Sequence, residues 1–546
     1  DLERTIGIVH RAAPSMILGS RLPTLSTWLE VIPESIRKTR PELVSIQGTI
    51  LMLRGDYTAS LDLLNQAIEG FAAKSDAVEL ARTLIRRSSL HRLIGSYENE
   101  KADAEEAVKI CRSSKGMDNL EAEALRAVGL AFYHSGDIRN ALVSLLLSLE
   151  KYNQLSEEMD AAKVLLDIGL VYMVLGQLDE ADEAYQKSLV YWQGSQNSLW
   201  QANLLNNIGM TRHMRGKFEE ASVSFEKAIS HARLALNPRL EGYSLTSLGD
   251  LYRDIRTLPE ARRAYQLARQ ASKTVDDQAL SVYLSLSEAS LERLYGNLAE
   301  AENLIVQAMQ IAQRGGSRYE INLCKLENCV LRLTQSNFNE LKENFSELIQ
   351  YFAQEGYHFE EIRSRYHQEL ALLLIEKTEE RENDLIDLIT THMDQWDRPL
   401  LILFGSETVN FLDEHCRLEE GRTELSNFLS QVRQFEEILI PVRRSIRRRS
   451  EVVQFSTPKI AIRAFGKAQV KNGDHVVLLS EWKTQLVRDL FFFILLHPDG
   501  VTKEEIGTAF WPDSTIDTLR VRFKNSIYRL RHALGSESIS FIDEYY

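Results

Sequence analysis

"VLGQLDEADEAYQKSL" (174–189) and "MRGKFEEASVSFEKAI" (214–229) carry one pattern twice, forty residues apart. Working outward, the same pattern appears in "LRGDYTASLDLLNQAI" (53), "LIGSYENEKADAEEAV" (93), "HSGDIRNALVSLLLSL" (134), "DIRTLPEARRAYQLAR" (254), "LYGNLAEAENLIVQAM" (294) and "LTQSNFNELKENFSEL" (333). Its turn falls at Gly55, Gly95, Gly136, Gly176, Gly216, Arg256, Gly296 and Ser336, a spacing of 40 interrupted once by a single residue. A fixed period of this length is the mark of a repeat architecture, in which each unit buries its apolar face against the next.

Each unit reads as a helical hairpin. Glycine closes the first helix in the left-handed conformation, and an apolar residue two positions on (Tyr57, Tyr97, Ile138, Leu178, Phe218, Leu258, Leu298, Phe338) opens the second. Alanine recurs five residues past the turn (Ala141, Ala181, Ala221, Ala261, Ala301) and twelve past it (Ala67, Ala107, Ala228, Ala268, Ala308). Seven residues make two helical turns, so both alanines lie on one face and let a neighbouring helix come near. In the first helix Gly48, Gly129, Gly169, Gly209 and Gly249 stand seven before the turn, where a side chain would hold two backbones apart.

A small residue in the first helix, a turn glycine and two alanines in the second resemble tetratricopeptide repeats. The period is longer than that family's usual ~34 residues. In this it is similar to the sensor domains of the maltose-regulator class of bacterial signal-transducing ATPases, as is the opening "LPTLSTWLEVIPESIRKTRPELVSIQGTILMLRGDY" (22–57). The resemblance implies an α-solenoid over 1–350 and an ATPase domain upstream of Asp1. This segment itself has no GxxxxGK[ST] and is expected to hold no cofactor, so ATP would belong to that upstream domain.

Residues 351–440 keep apolar residues at three-and-four spacing but lose the glycine register, and are expected to form degenerate hairpins capping the array. Pro441, the basic run "RRSIRRR" (443–449) and "STP" (456–458) mark 441–459 as a basic linker. From 460 the period shortens: β-branched runs at 460–465, 467–470 and 475–479 with "KNGD" (471–474) between the last two predict a small sheet with an Asn-Gly hairpin turn. Three helices follow, the second opened by Thr502 with Glu505 three residues on, a capping box. The predicted fold is thus mainly α: a tetratricopeptide-like α-solenoid of about nine or more helical hairpins, then a small α+β domain over 460–546.

Charge separates the two parts. The chain of 546 residues carries a net charge of -14, yet from Arg443 onward 17 Lys and Arg face 12 Asp and Glu, leaving 47 against 66 before it. Most of the basic excess sits on the last helix. Leu519, Phe523, Ile527, Leu530 and Leu534 fall in one stripe when 516–534 is projected at 100° per residue. Thr518, Arg520, Arg522, Lys524, Asn525, Arg529 and Arg531 occupy the rest. Arg can bond guanine through two hydrogen bonds and Asn adenine, while flanking cations meet phosphates, so these seven are the candidate DNA-binding residues.

The motifs around this helix are "LLHP" (495–498), "FWPD" (510–513) and "RLRHALG" (529–535). They closely resemble the OmpR-like winged-helix DNA-binding domain of the antibiotic regulatory protein family. That resemblance implies a recognition helix in the major groove of double-stranded DNA and a β-hairpin wing, of which "SISFIDEYY" (538–546) supplies one strand.

No HExxH, GxSxG or paired-cysteine motif occurs, and His134, His213, His231 and His358 are isolated, so no enzyme activity is expected. Four scattered cysteines match no metal site and suit reduced thiols in the cytoplasm. No apolar run reaches the ~18–20 residues of a membrane span. Projecting the concave wall of the tetratricopeptide fold onto this sequence selects Asn203, Asn206, His213, Tyr243, Asp250, Arg253, Tyr283 and Arg293 as a groove for an effector: a small molecule, a peptide or a protein. The expectation is a bacterial transcription regulator whose solenoid senses an effector and whose C-terminal domain binds promoter DNA, with RNA polymerase and a second copy as further partners. The alternative is a non-enzymatic adaptor whose winged helix contacts protein.

Overall fold

All eight turn positions adopt positive φ, from 55° at Ser336 to 95° at Gly136. The hairpin register set by the glycines therefore continues through Arg256 and Ser336, where a side chain is carried in the left-handed region at a cost of about 1 kcal/mol. The computed structural model describes residues 2–18, 21–195, 197–275, 277–393, 397–418, 423–453, 455, 460–463, 469–472, 475–498, 500–535, 538–541 and 544–546. Its contacts divide the chain into two compact units, Asp1–Gln454 and Phe455–Tyr546.

In the first unit α1 (Leu2–Leu18), α2 (Leu22–Glu30) and α3 (Glu34–Arg37) precede the array. Ile6, Val9, Leu25 and Leu29 close its end against Leu43, Ile46 and Ile50 of α4 (Pro41–Arg54). Hairpins then pair α4 with α5 (Tyr57–Lys74), α6 (Ala77–Leu93) with α7 (Tyr97–Ser113), α8 (Asp118–Ser135) with α9 (Ile138–Leu155), and α10 (Glu158–Val174) with α11 (Leu178–Gln193). Next come α12 (Ser198–Met214) with α13 (Phe218–Leu234), α14 (Pro238–Asp254) with α15 (Leu258–Ser272), α16 (Gln278–Leu294) with α17 (Leu298–Gly315), and α18 (Arg318–Thr334) with α19 (Leu341–Glu355). Seven second helices begin on the predicted apolar residue; the eighth begins three residues late, at Leu341, because Glu340 takes a left-handed φ of 58°.

The small residues do what their spacing predicts. All ten register alanines are fully buried. A Cβ at Gly209 would lie 2.6 Å from the Phe225 ring, one at Gly129 2.7 Å from Leu145, and Gly169 and Gly249 approach the rings of Tyr185 and Tyr265 in the same way. A large side chain from the second helix thus seats directly on the first helix's backbone.

The array then winds back on itself. Gly95 abuts Gln278 and Gly315, Gly136 abuts Tyr351 and Tyr357, Gly176 abuts His358, and Gly216 abuts Pro399. The turns of early hairpins therefore rest on the starts of helices five or six hairpins later. Residues after 350 continue the alternation as α20 (His358–Glu376) with α21 (Glu379–Met393) and α22 (Arg398–Leu418) with α23 (Thr423–Arg449).

The basic stretch differs from the sequence expectation. Residues 441–449 are not linker; α23 runs through Pro441 to Arg449. This end of the helix is held to the array: Arg443 Nε donates to the Ile255 carbonyl at 2.5 Å, Ser445 bonds Glu219 at 2.9 Å and Ser450 bonds Glu226 at 2.7 Å. Acidic residues of earlier hairpins thus fix a run that reads as solvated when taken alone. "STP" (456–458) lies outside the described residues.

The second unit holds an antiparallel sheet of β1 (Ile460–Arg463), β2 (Gln469–Asn472) and β3 (His475–Val476), in that order, with Asn472 opposite His475. The last two residues of the Asn-Gly turn, 473 and 474, lie outside the described residues. Three helices follow, α24 (Gln485–Leu495), α25 (Lys503–Phe510) and α26 (Ile516–Leu534). The capping box is formed at both ends by Thr502 and Glu505. Val470, Trp482, Leu490, Ile506, Trp511, Phe523, Ile527 and Leu530 share one core. After α26 the chain returns to pair with the segment between α24 and α25, where Val501 and Tyr546 exchange backbone hydrogen bonds of 3.2 and 2.9 Å.

Candidate functional site

Two sets of side chains answer to the sequence expectations, and their surroundings are opposite. On α26 the apolar stripe is buried through Phe523, Ile527, Leu530 and Leu534, and half-buried Leu519 rests on Gly507 of α25. This fixes the rotation of the helix. Thr515 caps it, its hydroxyl accepting from the Thr518 amide, and meets the Thr518 hydroxyl at 2.9 Å.

Thr518, Arg520, Arg522, Lys524, Asn525 and Arg529 are exposed on the remaining surface. Arg522 reaches back to the Ser514 hydroxyl at 3.3 Å, and among the described residues Arg520, Arg522, Lys524 and Arg529 form no ion pair. Arg531 stands apart from these six. It is half-buried and donates to the Ile539 carbonyl at 3.2 Å, tying the segment after the helix to α26.

The groove predicted in the array is not an open wall. His213 Nε2 lies 3.0 Å from Asp254, and Arg253 bonds both Asp254 and Asp250 at 2.9 Å. Asp250 also accepts from Tyr265 at 2.7 Å and from Tyr283. Tyr283 stacks on Tyr243 with centroids 6.3 Å apart, and Tyr243 donates to Asp277 at 3.4 Å. Arg293 bonds Glu407 of α22 at 2.7 Å, with side chains only 6% and 12% exposed. Six of the eight groove residues thus belong to this ion-paired interior. Asn206, buried with its Oδ1 unpartnered, and half-buried Asn203 lie outside the network.

The residues that fill the groove come from helices expected only to cap the array. Arg256 donates to Ser406 at 2.6 Å, Tyr366 meets Thr408 at 2.7 Å, and Arg363 bonds Glu327 at 2.5 Å. Burial opposes the charge of Glu407, yet Arg293, Arg256, Arg363 and Arg253 hold its carboxyl well below the usual carboxylate range. Burial pushes the nearby His367 down to about 4, keeping it neutral. No local signal in 350–440 marks Glu407 as a partner, since it meets residues 114 positions away.

Among the described residues, no group of three or more His, Cys, Asp or Glu is placed to hold a metal ion. No described helix is long and apolar enough to cross a membrane. Burial lifts the Cys329 thiol to about 11 and Cys324 to about 12, which leaves both unreactive at neutral pH.

Residues 160–233 match the tetratricopeptide repeat family, and 45–126 with 244–335 match the family described as anaphase-promoting complex subunit 5. The former spans α10 to α13, so the likeness to tetratricopeptide repeats covers two of the hairpins. Comparison with curated proteins gives no match. Among solved structures, a Rap protein complexed with competence and sporulation factor is 12% identical, covering 71% of this chain and 100% of that one at a TM-score of 0.46. The apo form of the quorum sensor NprR from B. thuringiensis is 13% identical over 64% of this chain and 100% of its own, at 0.45. Apo RapI is 16% identical over 50% and 99%, at 0.42.

Proposed function

We propose that the protein is a transcription regulator in which the helical array receives an effector or partner and the C-terminal unit binds double-stranded DNA through α26. The supporting observation is the exposed face of that helix: Arg520, Arg522, Lys524, Asn525 and Arg529 are exposed, without ion pairs among the described residues, opposite a buried stripe that fixes their direction. A helix of this diameter enters the major groove, where Arg522 and Arg529 read guanine, Asn525 reads adenine, and Arg520 and Lys524 meet phosphates. The order of sheet, two helices, basic helix and a returning segment that bridges back at Thr502 supports the winged-helix reading.

In this proposal the protein acts in the cytoplasm, performs no chemical step, and meets RNA polymerase and a second copy of itself on the promoter. ATP hydrolysis by these residues would contradict it.

Selecting bound duplexes from a random pool with the full chain, then measuring the selected duplex by gel shift, tests the assignment. Arg522→Ala with Arg529→Ala should abolish sequence-specific binding. Lys524→Ala should weaken every duplex alike and lower the slope of log affinity against log salt by about 1. Unchanged binding of the selected duplex by the double variant would remove α26 from the interface.

A further inference from the structure

The hairpin of α18 and α19 breaks the rule that packs the seven before it. Those seven have Gly, Ser or Ala seven residues before the turn and Ala or Ser twelve past it. At these positions the two helices come close enough for a side chain of one to bond the backbone of the other. Ser88 donates to the Glu100 carbonyl at 2.9 Å, Ser148 to the Ala122 carbonyl at 2.7 Å and Ser188 to the Ala162 carbonyl at 2.8 Å.

In the eighth hairpin Cys329 and Leu348 take these two places, and Leu341 stands five past the turn; all three are buried. The larger side chains, with the late start of α19, leave α18 and α19 packed more loosely than any of the other seven pairs. The start of α18 is nevertheless fixed: the hydrogen bond from Tyr97 to Glu320, 3.1 Å long, is a junction at which winding closes the array on itself.

The loose packing leaves a cavity of about 430 Å³ lined by α17, α18 and α19, with Cys329 on its wall. Buried Ile305 and half-buried Met309 make part of the lining apolar. Lys325 and Glu347 are exposed and Asn328 and Asn344 half-buried, and among the described residues none of these four side chains forms a hydrogen bond or ion pair. The groove predicted on the inner wall is filled by the chain's own ion pairs. This cavity instead keeps unengaged polar groups beside an apolar wall, the composition of a small-molecule site.

The lining also selects the class of ligand. A lysine and a carboxylate that do not pair with each other match a molecule carrying both charges, since an anion alone would face Glu347 and a cation alone Lys325. No aromatic side chain is among the described lining residues, so a nucleobase or sugar ring finds no stacking face. Asparagine both donates and accepts, as an amide bond requires of its partner.

We propose that this cavity binds a small aliphatic zwitterion of dipeptide size, its carboxylate on Lys325, its ammonium on Glu347 and its aliphatic body on Ile305 and Met309. This rests on the effector-receiving half of the proposed function, and gives the effector a class and a place outside the predicted groove.

Isothermal titration of the full chain with the dipeptide Leu-Leu tests it, beside N-acetyl-Leu-Leu, which lacks the cation, and Leu-Leu amide, which lacks the anion. Leu-Leu should bind, and each modified form should bind about fivefold more weakly. Glu347→Gln should make Leu-Leu and its acetylated form equal, and Lys325→Gln should make Leu-Leu and its amide equal. Both residues are exposed, so neither variant should shift the unfolding temperature. No saturable heat at millimolar dipeptide, equal affinity of the three compounds for the parent chain, or an unchanged ranking in the two variants would each overturn the proposal. Duplex binding through α26, read by gel shift, succeeds or fails independently of these outcomes.

Discussion

Arginine does two different jobs in this molecule. In the interior of the array Arg253, Arg293 and Arg363 are enclosed, and each meets a carboxylate within 3 Å. On α26 Arg520, Arg522 and Arg529 are exposed and form no ion pair among the described residues. The first set spends its charge on joining hairpins that are far apart in sequence; the second keeps its charge available. The difference teaches that a helix is basic in a functional sense only when its cations are unpaired, which net charge does not report. The basic end of α23 makes the same point, since Arg443 is already engaged with the Ile255 carbonyl.

Glu407→Gln strains the comparison most. It leaves the enclosed arginines without their inserted acid and should cost about 3–5 kcal/mol, read from the chemical unfolding midpoint near neutral pH. A loss below about 1 kcal/mol would show the interior to be as indifferent to pairing as a surface.

Acidity probes the closing junction next. Burial raises the Glu320 carboxyl from 4.5 to about 7 against the hydrogen bond from Tyr97, with Asp277 adding to the rise. A raised carboxyl favours the protonated fold, so this contribution is complete below 4.5 and is lost as pH climbs through about 7. Glu320→Gln removes the dependence. From about pH 5 to about pH 8 the parent chain should lose roughly 2–3 kcal/mol more stability than the variant, and parallel profiles would contradict the assignment.

Gly209→Ala tests the hairpin packing on which the enclosed arginines depend. The new methyl would meet the buried Phe225 ring at 2.6 Å, so thermal unfolding should register about 1–3 kcal/mol of destabilisation. The smallest effects belong to α26. Arg520→Ala and Arg529→Ala should each change stability by less than about 0.5 kcal/mol, and a larger loss would mean that the helix spends its charge internally after all.

Much of this was legible because it is local. The turn positions, the paired alanines and the capping box at Thr502 depend on residues within two helical turns of one another, and the close glycines on partners sixteen positions away in the same hairpin. The face of α26 was legible for the same reason: period 3.6 fixes which residues oppose the Phe523–Ile527–Leu530 stripe. Arg531 escaped because its partner, the Ile539 carbonyl, belongs to a returning segment rather than to the helix.

What the sequence by itself determined is the repeat, the hairpin within it, and a basic helix with one apolar side. What only the tertiary structure decided is which charges meet: that α22 fills the predicted groove with Glu407, and that α23 brings Arg443 back to the array. The physical reason is the winding. Each hairpin rotates slightly on the last, and the sum of those rotations, written in no single residue, brings helices more than a hundred positions apart into contact.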